Sequence, residues 1–143
     1  MAITPQIDNA ISNELNQTTI QLPSYTYKLN ISNSINYPDR IVGFVDGLEA
    51  TKQAIYHILS VERYAYLIYD RNYGVELNQY IGADIEYIKA TIEETLREAL
   101  TYDLRILNVD VTNIEKISND SVLINFTAYT IYGNLVMEVN INV

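Results

Sequence analysis

The sequence predicts an α+β domain: two main helices packed on a three-stranded antiparallel C-terminal sheet, preceded by an extended N-terminal arm. Three observations predict it. Apolar residues recur at helical spacing twice, from Leu48 to Leu59 and from Ile85 to Ala99. The last third of the chain alternates apolar and polar residues in three runs separated by short turn sequences. Residues 1–24 are rich in Asn, Gln and Thr and carry little apolar surface for a core of their own. The expected division is 1–45 for the arm and short strands and 46–143 for the folded domain, a length that suits one main core.

The elements follow in order. In SYTYKLNIS, Tyr25, Tyr27 and Leu29 alternate on one face, as in a strand. NSINYPD reads as a loop, and RIVGFV, Arg40 to Val45, as a second short strand. Asp46 can cap the first helix, with Glu49 at the capping-box spacing. Leu48, Thr51, Ile55, Ile58 and Leu59 share one face of that helix, which should end near Ser60. YAYLIY is apolar on both alternating faces, so it reads as a short buried strand or an irregular packed link that ends at Gly74. VELNQYIG suits a short helical turn.

Asp84 is the expected N-cap of the second helix, whose apolar stripe is Ile85, Ile88, Ile92, Leu96 and Ala99. Lys89–Glu93 and Glu93–Arg97 are spaced for ion pairs worth about 0.3 kcal/mol each. The three strands should turn Leu107, Val109 and Val111, then Val122, Ile124, Phe126 and Ala128, then Leu135, Met137, Val139, Ile141 and Val143 toward the helices. Glu138, Asn140 and Asn142 face the other way.

Composition narrows the function. The net charge of −9 repels nucleic-acid phosphates and anionic lipid, so neither is an expected partner. No run of about 18 apolar residues can span a membrane, and the first residues lack the basic start and apolar stretch of a signal peptide. With no Cys there is no thiol nucleophile, and the one histidine, His57, lies mid-helix beside the core stripe, where a packed or surface His is expected instead of a triad base; one His and no Cys also cannot supply the three or four N/S ligands of a usual zinc site. No glycine-rich phosphate loop occurs. No cofactor and no metal are expected.

Glu62, Asp70 and Glu76 sit among aromatic residues, as glycosidase acids can. A small glycan-cleaving enzyme is therefore the alternative function. Arg63 and Arg71 adjoin two of these acids and would lower their pKa values, the opposite of what a general acid needs. Glu93, Glu94 and Glu98 read as a solvated helix face. The 13 Tyr residues favour protein contacts, since Tyr buries its ring while its hydroxyl reaches a partner. The terminal strand is regular and free of Pro. If it lies at a sheet edge it offers unpaired backbone groups to another chain, whereas a central position would cover them.

Four features in order, from Gly47 to Asp110, resemble the baseplate wedge and sheath-initiator subunits of contractile phage tails. They are the helix GLEATKQAIYHIL running into SVERYAYLIY, the step NYG from Asn72 to Gly74, the helix from Asp84 to Tyr102, and YDLRILNVDV. The form with Gln53, ERY, IY and NYG is similar to the branch found in phages and phage-tail-like particles of Gram-positive bacteria. Asp103-Leu104-Arg105 stands where that family has Glu-Pro-Arg: the charges and spacing survive and the Pro does not.

The resemblance implies a non-enzymatic assembly role, in a ring of copies around the tail tube in a baseplate assembled in the bacterial cytoplasm. It implies contacts with wedge proteins, the tail sheath protein, and tube or hub proteins. It assigns wedge binding to Asp103 and Arg105, with Glu62 and Arg63 as secondary candidates. It assigns sheath binding, by strand addition, to Leu135, Val136, Met137, Glu138, Val139, Asn140 and Ile141. Asp103 and Arg105 could instead pair with each other, and Glu62 and Arg63 could instead form a joint between the helices.

Overall fold

The computed structural model describes residues 23–29, 41 and 43–143. The arm up to residue 22 and the loop NSINYPD lie outside the described residues. Strands β1 (Thr26–Tyr27) and β2 (Phe44–Val45) pair antiparallel as a short ribbon. Helix α1 (Gly47–Ser60) follows, then an irregular segment with a 3-10 turn at Asn78–Tyr80, helix α2 (Ile85–Leu100), and strands β3 (Ile106–Ser118), β4 (Ser121–Thr130) and β5 (Gly133–Asn142). The last three form one antiparallel sheet with β4 in the centre. The α+β arrangement of two helices on a three-stranded sheet is the one the sequence predicts.

The core lies between the helices and one face of the sheet. α2 contributes Ile88, Ile92, Leu96, Ala99 and Leu100, and α1 contributes Ile55 and Ile58. They meet Val122, Ile124, Phe126 and Ala128 of β4, which alternate strictly between buried and half-exposed neighbours. β5 alternates in the same way, with Ile141 buried and Leu135, Met137 and Val139 packed against the core. The period-2 pattern survives here because a sheet with one covered face needs nothing else to set its register.

Two expectations are corrected. Leu107 does not face inward. The register shifts between Ile106 and Asn108, so Ile106 is buried and Leu107 is 63% exposed; a bulge moves every later side chain by one position. YAYLIY is the irregular link and not the buried strand, and it is not packed as either reading expected. It is a run of turns in which Tyr64, Tyr66, Leu67 and Ile68 are exposed.

Capping differs in detail. Asp46 accepts from the Gly47 N–H at 2.7 Å and also bonds the Ser24 hydroxyl, which ties the ribbon to the start of α1. Asp84 occupies the N-cap of α2 without a side-chain capping bond. Glu93–Arg97 forms at 2.7 Å, while Lys89 pairs with Glu86 at 3.4 Å instead of Glu93.

Candidate functional site

The segment between α1 and α2 is a stitched joint. Glu62 bridges to Val75, and backbone bonds run from Val75 N–H to Val61 C=O and from Arg63 N–H to Val75 C=O. The Glu62 carboxylate accepts from the N–H groups of Leu77 (3.1 Å) and Asn78 (3.3 Å), the open start of the 3-10 turn. The Arg63 guanidinium reaches Glu98 at 3.0 Å, Glu76 at 3.4 Å and the Gly74 carbonyl at 3.4 Å. Gly74 is required where the two legs touch. It has φ +98°, and a Cβ there would sit 2.6 Å from the Val61 carbonyl oxygen. Glu62 and Arg63 therefore serve the joint, each bonding a different part of it.

Beside the joint, His57 lies between two tyrosines. Its Nδ1 shares a hydrogen bond with the Tyr73 hydroxyl, and its Nε2 lies 3.4 Å from that of Tyr69. Tyr69 stacks on Tyr73, and Tyr73 meets Tyr102 edge-on. Burial, with the nearby Tyr69, Asp103 and Tyr102, pushes the Tyr73 hydroxyl up to about 12.

Asp103 and Arg105 meet each other at the end of α2. Arg105 Nη2 donates to Asp103 Oδ2 at 2.6 Å and Nε to Oδ1 at 2.9 Å, a two-pronged pair whose side chains are 15% and 16% exposed. The Arg105 N–H also donates to Asp103 Oδ1 at 3.0 Å. Burial alone would raise the Asp103 carboxyl; the Arg105 side chain, backbone N–H and charge outweigh it and hold Asp103 below the usual carboxylate range. Tyr102 and Leu104 stand exposed on either side of Asp103. Arg105 also lines a cleft of about 400 Å3 between residues 23–29 and α1, together with Gln53, His57 and Tyr73. Gln53 closes one wall of it: its amide accepts from the Leu29 N–H and donates to the Tyr27 C=O, both at 2.9 Å.

The sheet has two outer strands, and they are treated differently. Along β3, Arg97 donates to the Val109 C=O at 3.1 Å and to the Asn108 side chain at 3.0 Å, and Glu93 accepts from the Val111 N–H at 3.3 Å. Side chains of α2 thus occupy backbone groups of that strand. β5 pairs with β4 through ten consecutive residues with no register shift, from Thr130–Gly133 to Ser121–Asn142. Among the described residues it lies at the sheet edge, one of the two positions the sequence left open. Val136 and the other outward residues of β5 are exposed.

A family model described as the contractile injection system sheath initiator matches residues 25–133. The chain belongs to this family. The phage-like element PBSX protein XkdS of Bacillus subtilis (strain 168) is 38% identical over 146 residues, an alignment spanning 96% of this chain and 95% of the relative. The resemblance read from Gly47 to Asp110 is thus borne out, and the protein has a structural role in a contractile tail as a sheath initiator. Sequence reasoning did not find Arg97 as the clamp on β3. The signal was present in Asn108 and Asp110, polar residues on a strand beside the helix that carries Glu93 and Arg97.

Proposed function

We propose that the protein starts sheath assembly by lending the free edge of β5 to a strand of the first sheath subunits, while the end of α2 fixes it to the baseplate wedge. The bulge-free edge of β5, which no strand among the described residues covers, supports this reading most, because an incoming strand needs an uninterrupted row of backbone donors and acceptors. Residues Leu135 to Ile141 form that row, with Leu135, Met137 and Val139 rooting it in the core. Asp103 and Arg105, already paired, present a rigid charged corner between Tyr102 and Leu104 for wedge proteins. Glu62 and Arg63 contribute by holding the joint behind it. The role is non-enzymatic, in a ring of copies at the baseplate of a phage or tail-like particle, near tube or hub proteins.

Glu138→Pro tests the edge. In a two-residue hairpin the pair flanking the turn, Thr130–Gly133, is the hydrogen-bonded one, so Glu138 belongs to the set whose N–H points away from β4. Pro at that position removes an outward donor and spares the β4 ladder. Particles carrying Glu138→Pro should form baseplates without sheath. Sheaths of normal length would reject strand addition at β5. Release of reducing ends from peptidoglycan by the pure protein would overturn the non-enzymatic assignment.

A further inference from the structure

Strand β5 carries a single charged side chain. Its sequence from Gly133 to Asn142 is GNLVMEVNIN, and Glu138 is the only ionisable residue in it. Glu138 is exposed, and its row across the sheet continues through Asn125 of β4 to Asn113 of β3, with no cation in it. No ion pair holds Glu138 among the described residues.

Its place along the strand matters. Residues whose backbone groups point away from β4 alternate with those bonded to it, and the outward set is Asn134, Val136, Glu138, Asn140 and Asn142. Glu138 is the middle member. If the β5 edges of two copies paired antiparallel over this whole set, the two-fold axis would pass between their Glu138 residues. Two carboxylates would then stand directly opposite each other, which destabilises a strand pair, in a complex of two chains that each carry −9. The charge thus opposes the edge-to-edge pairing that a regular edge strand invites.

The helix side of the strand shows what the edge suits. The core-facing residues of β4, Val122, Ile124, Phe126 and Ala128, are at most 1% exposed, whereas Leu135, Met137 and Val139 on the same face of β5 are only half-buried. Ile81, directly after the 3-10 turn that packs on β5, is 63% exposed. Apolar surface between sheet and helices therefore continues to the β5 edge. A strand added there needs aliphatic residues on the helix side, beside Met137 and Val139, and a polar residue facing Glu138 on the other side.

We propose that Glu138 selects the strand that β5 accepts: it excludes β5 of a second copy and admits a sheath strand with Lys or Arg opposite it, between two aliphatic residues. This rests on the strand addition proposed above and adds the chemistry and register of the incoming strand. A slip of one residue turns the aliphatic side chains to solvent, and a slip of two takes the cation off Glu138, so pattern and charge together fix one register.

Two short synthetic strands test this, alike in alternating Thr and Val and differing only in a central Lys or Glu at a Thr position. Their binding to the full chain is read by fluorescence anisotropy. The Lys strand should bind the wild type at least about threefold more tightly than the Glu strand, and Glu138→Lys should reverse the order. In sedimentation, Glu138→Val should add a dimer that the wild type lacks. The substituted side chain is exposed, and unchanged melting curves confirm the fold. Equal binding of the two strands by the wild type, or a Glu138→Val protein that self-associates no more than the wild type, overturns selection by Glu138 and leaves strand addition standing. Binding of neither strand, by wild type or Glu138→Lys, overturns strand addition and this inference with it.

Discussion

The two edges of the sheet are built from similar residues and put to opposite use. β3 is irregular, with register shifts at three places, and its backbone is partly taken up by Arg97 and Glu93 of α2. β5 runs without a shift, and among the described residues its far side pairs with no other strand. Bulges and side-chain bonds are common means of closing an edge against stray pairing. Side chains of α2 and three register shifts close β3 in this way, whereas β5 keeps the unshifted ladder to β4 that the proposed strand addition requires.

The same substitution placed in both strands breaks or sustains this contrast. Val111→Pro removes an N–H that Glu93 accepts, and it strains a strand clamped to α2. We expect a loss of about 3 kcal/mol or more, seen as a drop in Tm of roughly 6–12 °C for a domain of this size. Glu138→Pro should cost less than about 1 kcal/mol in the isolated protein, since its N–H faces solvent. Thermal melts of the two variants side by side decide the matter. Equal losses would mean that β5 is as much a part of the fold's internal bonding as β3.

Arg97→Ala should have the next largest effect. The side chain joins Glu93, Asn108 and the Val109 carbonyl, so its loss frees the β3 edge without touching the apolar stripe of α2. Hydrogen exchange should quicken along Val109–Val111 and stay unchanged across the β4–β5 ladder. Quickening of both ladders alike would show one cooperative sheet with no difference between its edges.

How much of this was legible follows from which forces act. The stripe of α2 and the alternation of β4 and β5 were readable because each repeats a short period against a single core. Leu107 was misplaced because one bulge near Ile106 reverses the faces, and no local residue announces it. The joint was only half readable. Its tyrosines suggested packing, yet it is held by bonds between residues 11 to 35 positions apart, from Arg63 to Gly74 and to Glu98, and by Gly74 at a close backbone approach. Asp103 and Arg105 were visible as a motif, but a sequence does not show whether two opposite charges two residues apart face each other or a partner.

Acid offers the mildest test of the two edges. The carboxylates that hold the β3 side both titrate low. Asp103 does so because its bonds and charge contact with Arg105 outweigh burial, and Glu93 because of its bonds to Arg97 and the Val111 N–H. A carboxyl lowered by folding contributes stability that is complete above its ordinary value, 3.8 for Asp and 4.5 for Glu. That stability is lost as the pH falls through the lower folded value. The β3 side should therefore loosen below about pH 4, while the β4–β5 hairpin, held by apolar contacts and backbone bonds, keeps its protection. Exchange measured from pH 5 downward should show protection falling first near Asp103–Val111. In Asp103→Asn that early acid loss should shrink, because the amide has no proton to gain. If β5 opened first as the pH fell, the ionic clamp would belong to the wrong edge and the division of labour between the two strands would fail.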